Sequence, residues 1–233
     1  MKIALCLSGQ PRGLIGAYQY ISASLLTRYK IDVFCHSWYQ NDQSELHLIL
    51  KLYNPKLFLF EKDWQLKLNR NDYKIASPKH PAYYTFSAYK SIIESNNLKS
   101  KYEKENSMKY DCVIRSRYDY ALNQKFNFEQ EDMSLLHVPD CLTNQEKTVC
   151  TDQFAFSNSD NMDKYSMVYE NIESYHDLGC IINGEQLLIM HLDKNNLLKQ
   201  KLKYHEMNHP FNGGLHNYGP HSLVRDDIKR YLK

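Results

Sequence analysis

The chain has 233 residues, 42% of them hydrophobic and 24% charged, ordinary values for a globular fold with a real core. Lys and Arg number 29 against 27 Asp and Glu, a net charge of +2, which excludes nucleic-acid binding driven by bulk electrostatics. No segment approaches 18 consecutive apolar residues, so no transmembrane helix is expected.

The first unit reads strand, loop, helix, strand. Residues 2–7 form a short apolar run, too short for a secretory signal, and Ser8–Gly13 ends it as a loop. Leu14, Tyr18, Ile21, Leu25 and Tyr29 recur near helical spacing and predict a helix over 14–29. A second strand covers 32–37, completing a βαβ unit. Next come a helix at 43–53, a strand at 56–60 and a polar loop at 61–82 with Pro78 and Pro81. A helix over 84–104 turns Phe86, Tyr89, Ile92 and Ile93 to the core, and a fourth strand spans 110–115. Residues 135–138 and 153–156 are strand-like, and 159–173 and 183–193 helical. Residues 199–221 are rich in His, Asn and Gly, with a short closing helix at 222–232. This alternation predicts one α/β domain with a mixed, mainly parallel sheet and an antiparallel piece in the second half.

The six cysteines, at 6, 35, 112, 141, 150 and 180, show no CxxC or zinc spacing. Cys6, Cys35 and Cys112 fall in strand-like runs, where a free thiol acts as a small hydrophobe. With no signal peptide, the chain is read as cytoplasmic with reduced thiols. The 19 Tyr have two readings, an AT-rich coding bias or rings suited to holding bases and sugars.

Several groups carry chemistry. Ser8-Gly9-Gln10-Pro11-Arg12-Gly13 follows the first strand, where open α/β sheets bind ligands. Gly9 permits close backbone approach, Arg12 can meet a phosphate, and the helix start that follows favours anions. The alternative is a plain strand-to-helix turn. The run 110–120 carries Arg115, Arg117 and Asp119 at alternate positions, hence on one face if extended. They suit a diphosphate with a metal or a sugar hydroxyl, or else form an Arg–Asp ion pair that fixes the strand end. Asp152 opens a short strand as a candidate base or a turn cap, and Glu185 is a candidate base or a first-turn dipole partner. His205, His209, His216 and His221 crowd the C-terminal region, but no HExxH is present.

Four segments in order, 3–12, 32–38, 110–119 and 152–157, resemble small GT-A-type glycosyltransferases of large DNA viruses, chlorella viruses among them, and of bacterial polysaccharide loci. The resemblance spans about residues 1–195 and implies a GT-A fold using a UDP- or GDP-sugar and a glycan acceptor. By position it implies donor contacts from Ser8, Gly9, Gln10, Arg12, Tyr89, Arg115, Arg117 and Asp119, and acceptor-side carboxylates at Asp152 or Glu185. The donor half would be 1–120 and the acceptor half 121–233. Asp119 matches the last acid of a DxD motif, but Arg117 stands where the first acid belongs. Either Mn²⁺ or Mg²⁺ is held by Asp119, with His216 as a further ligand, or Arg115 and Arg117 neutralise the diphosphate without metal. The competing readings are another nucleotide-using enzyme, such as a nucleotidyltransferase or a sulfotransferase-like protein, and a non-catalytic glycan- or nucleotide-binding protein of the same fold.

Overall fold

The computed structural model describes residues 1–39, 43–62, 67–70, 72–122, 125–139, 152–197 and 202–205. Seven strands form one sheet in these residues. In chain order they are β1 (Ile3–Gly9), β2 (Ile31–Tyr39), β3 (Leu57–Lys62), β4 (Cys112–Arg117), β5 (Leu136–Pro139), β6 (Phe154–Ser157) and β7 (Leu202–His205). Their spatial order is β3-β2-β1-β4-β6-β5-β7. The β3-β2-β1-β4 block is parallel, as is β5 with β7, while β6 runs antiparallel to both β4 and β5. The expected mixed, mainly parallel sheet is present, with its antiparallel piece at β6.

Helices cover both faces, which is why β1 is apolar at nearly every position. One face carries α3 (Ala82–Glu105), α4 (Ser159–Ser166), α5 (Val168–Asp177) and α6 (Gly184–Lys194), packed on Ala4, Cys6, Phe34, Val113 and Ala155. The other carries α1 (Leu14–Ile21) and α2 (Ser44–Tyr53), packed on Leu5, Leu7, Val33, Cys35 and Ile114. Asn54, left-handed at φ 42°, ends α2. Cys6, Cys35 and Cys112 are free and buried, and burial pushes the Cys6 and Cys35 thiols up to about 12.

Four expectations are corrected. The helix predicted over 14–29 is α-helical only to Ile21 and continues as a π-helical turn, Ser22–Leu26, closed by Thr27 N–H to Ser22 O at 3.0 Å. Ser24 Oγ donates to Leu122 O at 2.6 Å there, a tertiary contact outside the reach of periodicity. The helix predicted over 159–173 breaks at Met167 into α4 and α5, with Ser166 Oγ bonded back to Met162 O. Part of the predicted loop 61–82 is anchored: Ile75 bridges Ile182, and Arg70 and Tyr73 bond Glu173. The fourth strand lies two residues beyond its predicted span of 110–115, because β1 runs to Gly9 and pairs Ser8 with Arg117. The predicted helix at 222–232, with Cys141, Cys150, His209, His216 and His221, lies outside the described residues.

The helix α3 holds the layers together through a buried stripe at every fourth position: Ser87, Ser91, Ser95, Lys99 and Glu103. The Lys99 ammonium is fully buried and donates to Glu103 (3.1 Å), Ser159 Oγ (2.7 Å) and Asp163 (2.6 Å). Burial pushes the Asp163 carboxyl up, but Lys99 with Asn96 and Ser100 more than offsets this and holds it low. That contribution is complete above the ordinary Asp value of 3.8 and is lost as pH falls through the lower folded value. Lys99→Ala removes the buried partner of Glu103, which keeps the Tyr110 N–H and Lys109, and should destabilise by about 3 kcal/mol, the low end for a broken buried pair because Asp163 is also a third exposed. Urea unfolding at pH 7 and pH 3.5 checks this: the variant should lose less of its stability on acidification than the parent protein.

Candidate active site

Parallel pairing brings the carboxyl ends of β1, β2, β3 and β4 to one edge of the sheet, the edge at which open α/β folds bind ligands. The β1 strand lies between β2 and β4, with Ser8 level with His36 on one side and Arg117 on the other. Gly9 follows at φ 112°, a conformation that favours glycine, although a Cβ there would meet nothing within 4 Å. Its requirement is therefore backbone geometry and not space. Gln10 is half-buried and Arg12 exposed. Gly13, at φ 63°, leads into α1, whose first turn has neither a side-chain cap nor an acidic residue. Its first amide groups have no acceptor within the helix and lie at the positive end of the helix dipole.

A buried relay fixes this loop. Gly9 N–H donates to Ser91 Oγ at 2.6 Å. Ser91 Oγ lies 2.7 Å from His36 Nδ1, and His36 Nε2 lies 2.9 Å from Glu61 Oε2. An ionised carboxylate only accepts, so Nε2 carries a proton, and in the neutral imidazole Nδ1 then accepts from the Ser91 hydroxyl. The hydrogen bond from His36 holds the Glu61 carboxyl below its usual range, against the opposing effect of burial. Trp38 packs edge-on against His36 and donates to Ser87 O at 3.0 Å. Sequence reasoning did not assign roles to His36, Glu61 or Ser91. The signal was there in the polar His-Ser pair ending an apolar strand and in the fourfold serine spacing of α3.

The two arginines of β4 have different surroundings. Arg117 grips Asp119 with two bonds of 2.7 Å, Nε to Oδ1 and Nη2 to Oδ2. Burial opposes the Arg117 charge, yet Asp119 more than compensates and raises the guanidinium's pKa. This is the ion-pair alternative that the sequence left open. Arg115 lies one residue pair deeper, between Cys6 and Ala155, whose small side chains leave room for it. It is 3% exposed, and its Nε and Nη1 have no hydrogen-bond partner among the described residues. Ser8 Oγ and Gln153 Oε1 are likewise buried without a partner.

Asp152 stands just before β6, beside the end of β4, where Arg117 N–H bonds Gln153 O. Glu185 lies in the first turn of α6, capped by Asn183, whose side chain accepts from Gln186 N–H. Both carboxylates act on the Tyr89 hydroxyl: burial first, then Asp152 and Glu185, raise its pKa well above the usual value. Tyr89 is fully buried and donates to Gly184 O at 2.6 Å. It is therefore brought to the site as the support of the α6 first turn, not as an exposed donor contact.

A divalent cation needs free carboxylate oxygens. Both oxygens of Asp119 accept from Arg117, and among the described residues no group of three or more His, Cys, Asp or Glu stands together where a metal ion would fit. The expectation of a cation held at Asp119 does not fit these residues, and His216 lies outside the described ones. His205 ends β7 in register with Pro139. An open depression of about 470 Å³ lined by Ser100, Glu103, Lys104 and Lys109 lies at the other end of α3, away from the strand ends that carry the orphaned polar atoms.

Ser91→Ala removes the link between Gly9 and His36 and leaves the half-buried Gly9 N–H and the buried His36 Nδ1 without it. It should destabilise the protein by about 1–3 kcal/mol, read as a lower midpoint of urea unfolding with an unchanged slope.

No protein-family model and no curated protein sequence matches the chain. Among solved structures it is similar to an active-site mutant of LgtC, a GT-A glycosyltransferase, with a TM-score of 0.51 and 12% identity. The match covers 88% of this chain and 72% of the LgtC chain. Together with the strand order and the two-sided helical cover, it gives the chain a GT-A-like α/β fold.

Proposed function

We propose that the protein transfers a hexosyl or deoxyhexosyl group from a UDP- or GDP-sugar to a hydroxyl of a glycan acceptor. The observation that carries this reading is the set of buried, unpartnered polar atoms at one end of the sheet: Ser8 Oγ, Arg115 Nε and Nη1, and Gln153 Oε1. Buried polar groups are nearly always paired, so such a cluster at the carboxyl ends of parallel strands marks the place of a polar ligand. The GT-A-like fold supports a nucleotide sugar as that ligand. In this reading residues 1–120 bind the donor and 121–233 form the acceptor side.

The Gly9 loop and the uncapped start of α1 receive the nucleotide and its phosphates, with Ser8, Gln10 and Arg12 as polar partners. Arg115 meets the diphosphate, Asp119 holds Arg117 in place beside it, and Tyr89 supports the first turn of α6. The acceptor hydroxyl oxygen attacks the anomeric carbon as the carbon–oxygen bond to the diphosphate breaks. Its proton passes to Asp152 or Glu185, and the electron pair leaves with the diphosphate. A cytoplasmic location, where nucleotide sugars are made, agrees with the reading. The fixed Arg117–Asp119 pair, which departs from a DxD motif, is the observation that favours the non-catalytic binding protein as a second reading.

Calorimetric titration with UDP-, GDP-, TDP- and CMP-sugars tests the proposal. One donor class should bind, and that donor should be consumed with an acceptor glycan. Asp152→Asn or Glu185→Gln, whichever is the base, should lower kcat by about 10²–10⁴ while leaving donor affinity within about threefold. Binding without turnover by the parent protein, over a panel of acceptors, would favour the binding-protein reading.

A further inference from the structure

Arg115 and Arg117 are two residues apart on one strand face, yet among the described residues only Arg117 has an ion-pair partner. The Arg117–Asp119 pair is internally neutral. Arg115 stays cationic, because arginine holds its proton under all ordinary conditions, and burial works against that charge. Asp152 is the acid that favours the charge, and Arg117 disfavours it. A buried cation with unpaired nitrogens is unfavourable unless an anion arrives to meet it. Ser8 Oγ, also buried without a partner, lies on the same sheet face at the carboxyl end of the neighbouring strand.

We infer that Arg115 and Ser8 form a built oxyanion pocket that takes the diphosphate of the donor directly, so that nucleotide binding needs no divalent cation. The inference rests on the nucleotide-sugar reading above. Of the two alternatives the sequence left open, it takes the metal-free one and narrows it to Arg115: the acid that would hold a cation is paired with Arg117, and the charge that a cation would supply is present in Arg115. A fixed guanidinium in a dry site stabilises a phosphate oxygen as a metal ion does, without reorganisation. The ligand class is a nucleoside diphosphate with or without its sugar. A monophosphate places less charge in the pocket and should bind more weakly.

The test is calorimetry of the full chain with UDP and GDP, each in EDTA and in excess Mn²⁺ or Mg²⁺, with UMP and GMP alongside. The diphosphate that binds should do so in EDTA within about twofold of its affinity with cation, and more tightly than its monophosphate. Arg115→Met and Ser8→Ala, checked for folding by circular dichroism, should weaken it by about tenfold or more, the scale of a lost charge-assisted hydrogen bond. If Arg115→Met fails to fold, Ser8→Ala and the EDTA comparison decide. Binding that appears only with cation overturns the inference and leaves the proposed function standing. So does cation-free binding that both folded variants retain at full strength. Binding of neither diphosphate, with or without cation, overturns the nucleotide-sugar reading and the pocket with it.

Discussion

The parallel pairing of β1 with β2 and β4 is the constraint from which the site follows. A parallel ladder aligns strand ends of the same polarity, so polar residues that terminate three separate apolar runs arrive at one edge. Register then decides their neighbours. Ser8 sits level with both His36 and Arg117, and side-chain alternation sends Cys6, Ser8, Arg115 and Arg117 to the face covered by α3. A slip of one residue in β4 would turn both arginines into the opposite layer, among Leu5, Leu7 and Cys35. The hydrophobic pattern that excludes this slip therefore also aims the arginines.

The helix α3 joins stability to this geometry. Its serines are small enough for close approach to the sheet; the Ser91 hydroxyl meets the Gly9 N–H and His36, while the Ser95 hydroxyl bonds back to Ile92 O in its own helix. At one end of the helix Ser91 links the Gly9 backbone to His36 and Glu61. At the other, Lys99 ties the helix to α4, and Glu103 accepts from Tyr110 N–H at the start of β4. Both anchors are networks in a low-dielectric layer, where satisfied polar groups enforce one arrangement and half-satisfied ones are unfavourable. A shift of α3 along the sheet breaks both together.

At the strand ends, satisfaction of polar groups also separates framework from site. The Lys99 cluster, the His36 relay and the Arg117–Asp119 pair all close on themselves. Arg115 Nε and Nη1, Ser8 Oγ and Gln153 Oε1 do not, although they are equally buried. Tyr89 illustrates the difference: its ring lies among the site residues, but its hydroxyl is committed to Gly184, so it holds α6 instead of facing a ligand.

The sequence by itself determined the layers. Apolar runs, their alternation with helical spacing and the turn at Ser8–Gly13 are local properties, and β1, β2, α2, α3 and the apolar face of α3 lie close to where they were read. It also named the residues of the strand ends, since Arg and Asp at alternate positions after an apolar run are unusual. Tertiary structure alone decided how they combine. Whether Asp119 meets Arg117 or stays open depends on the turn after β4, and whether Arg115 lies inside or beyond the strand depends on how far β1 continues beside it. The relay through His36 joins residues 25 to 82 positions apart, and the π-helical turn and the break at Met167 follow from contacts and not from spacing. Periodicity records which face a residue takes. Partners across the sheet are set by register and packing, which no single segment contains.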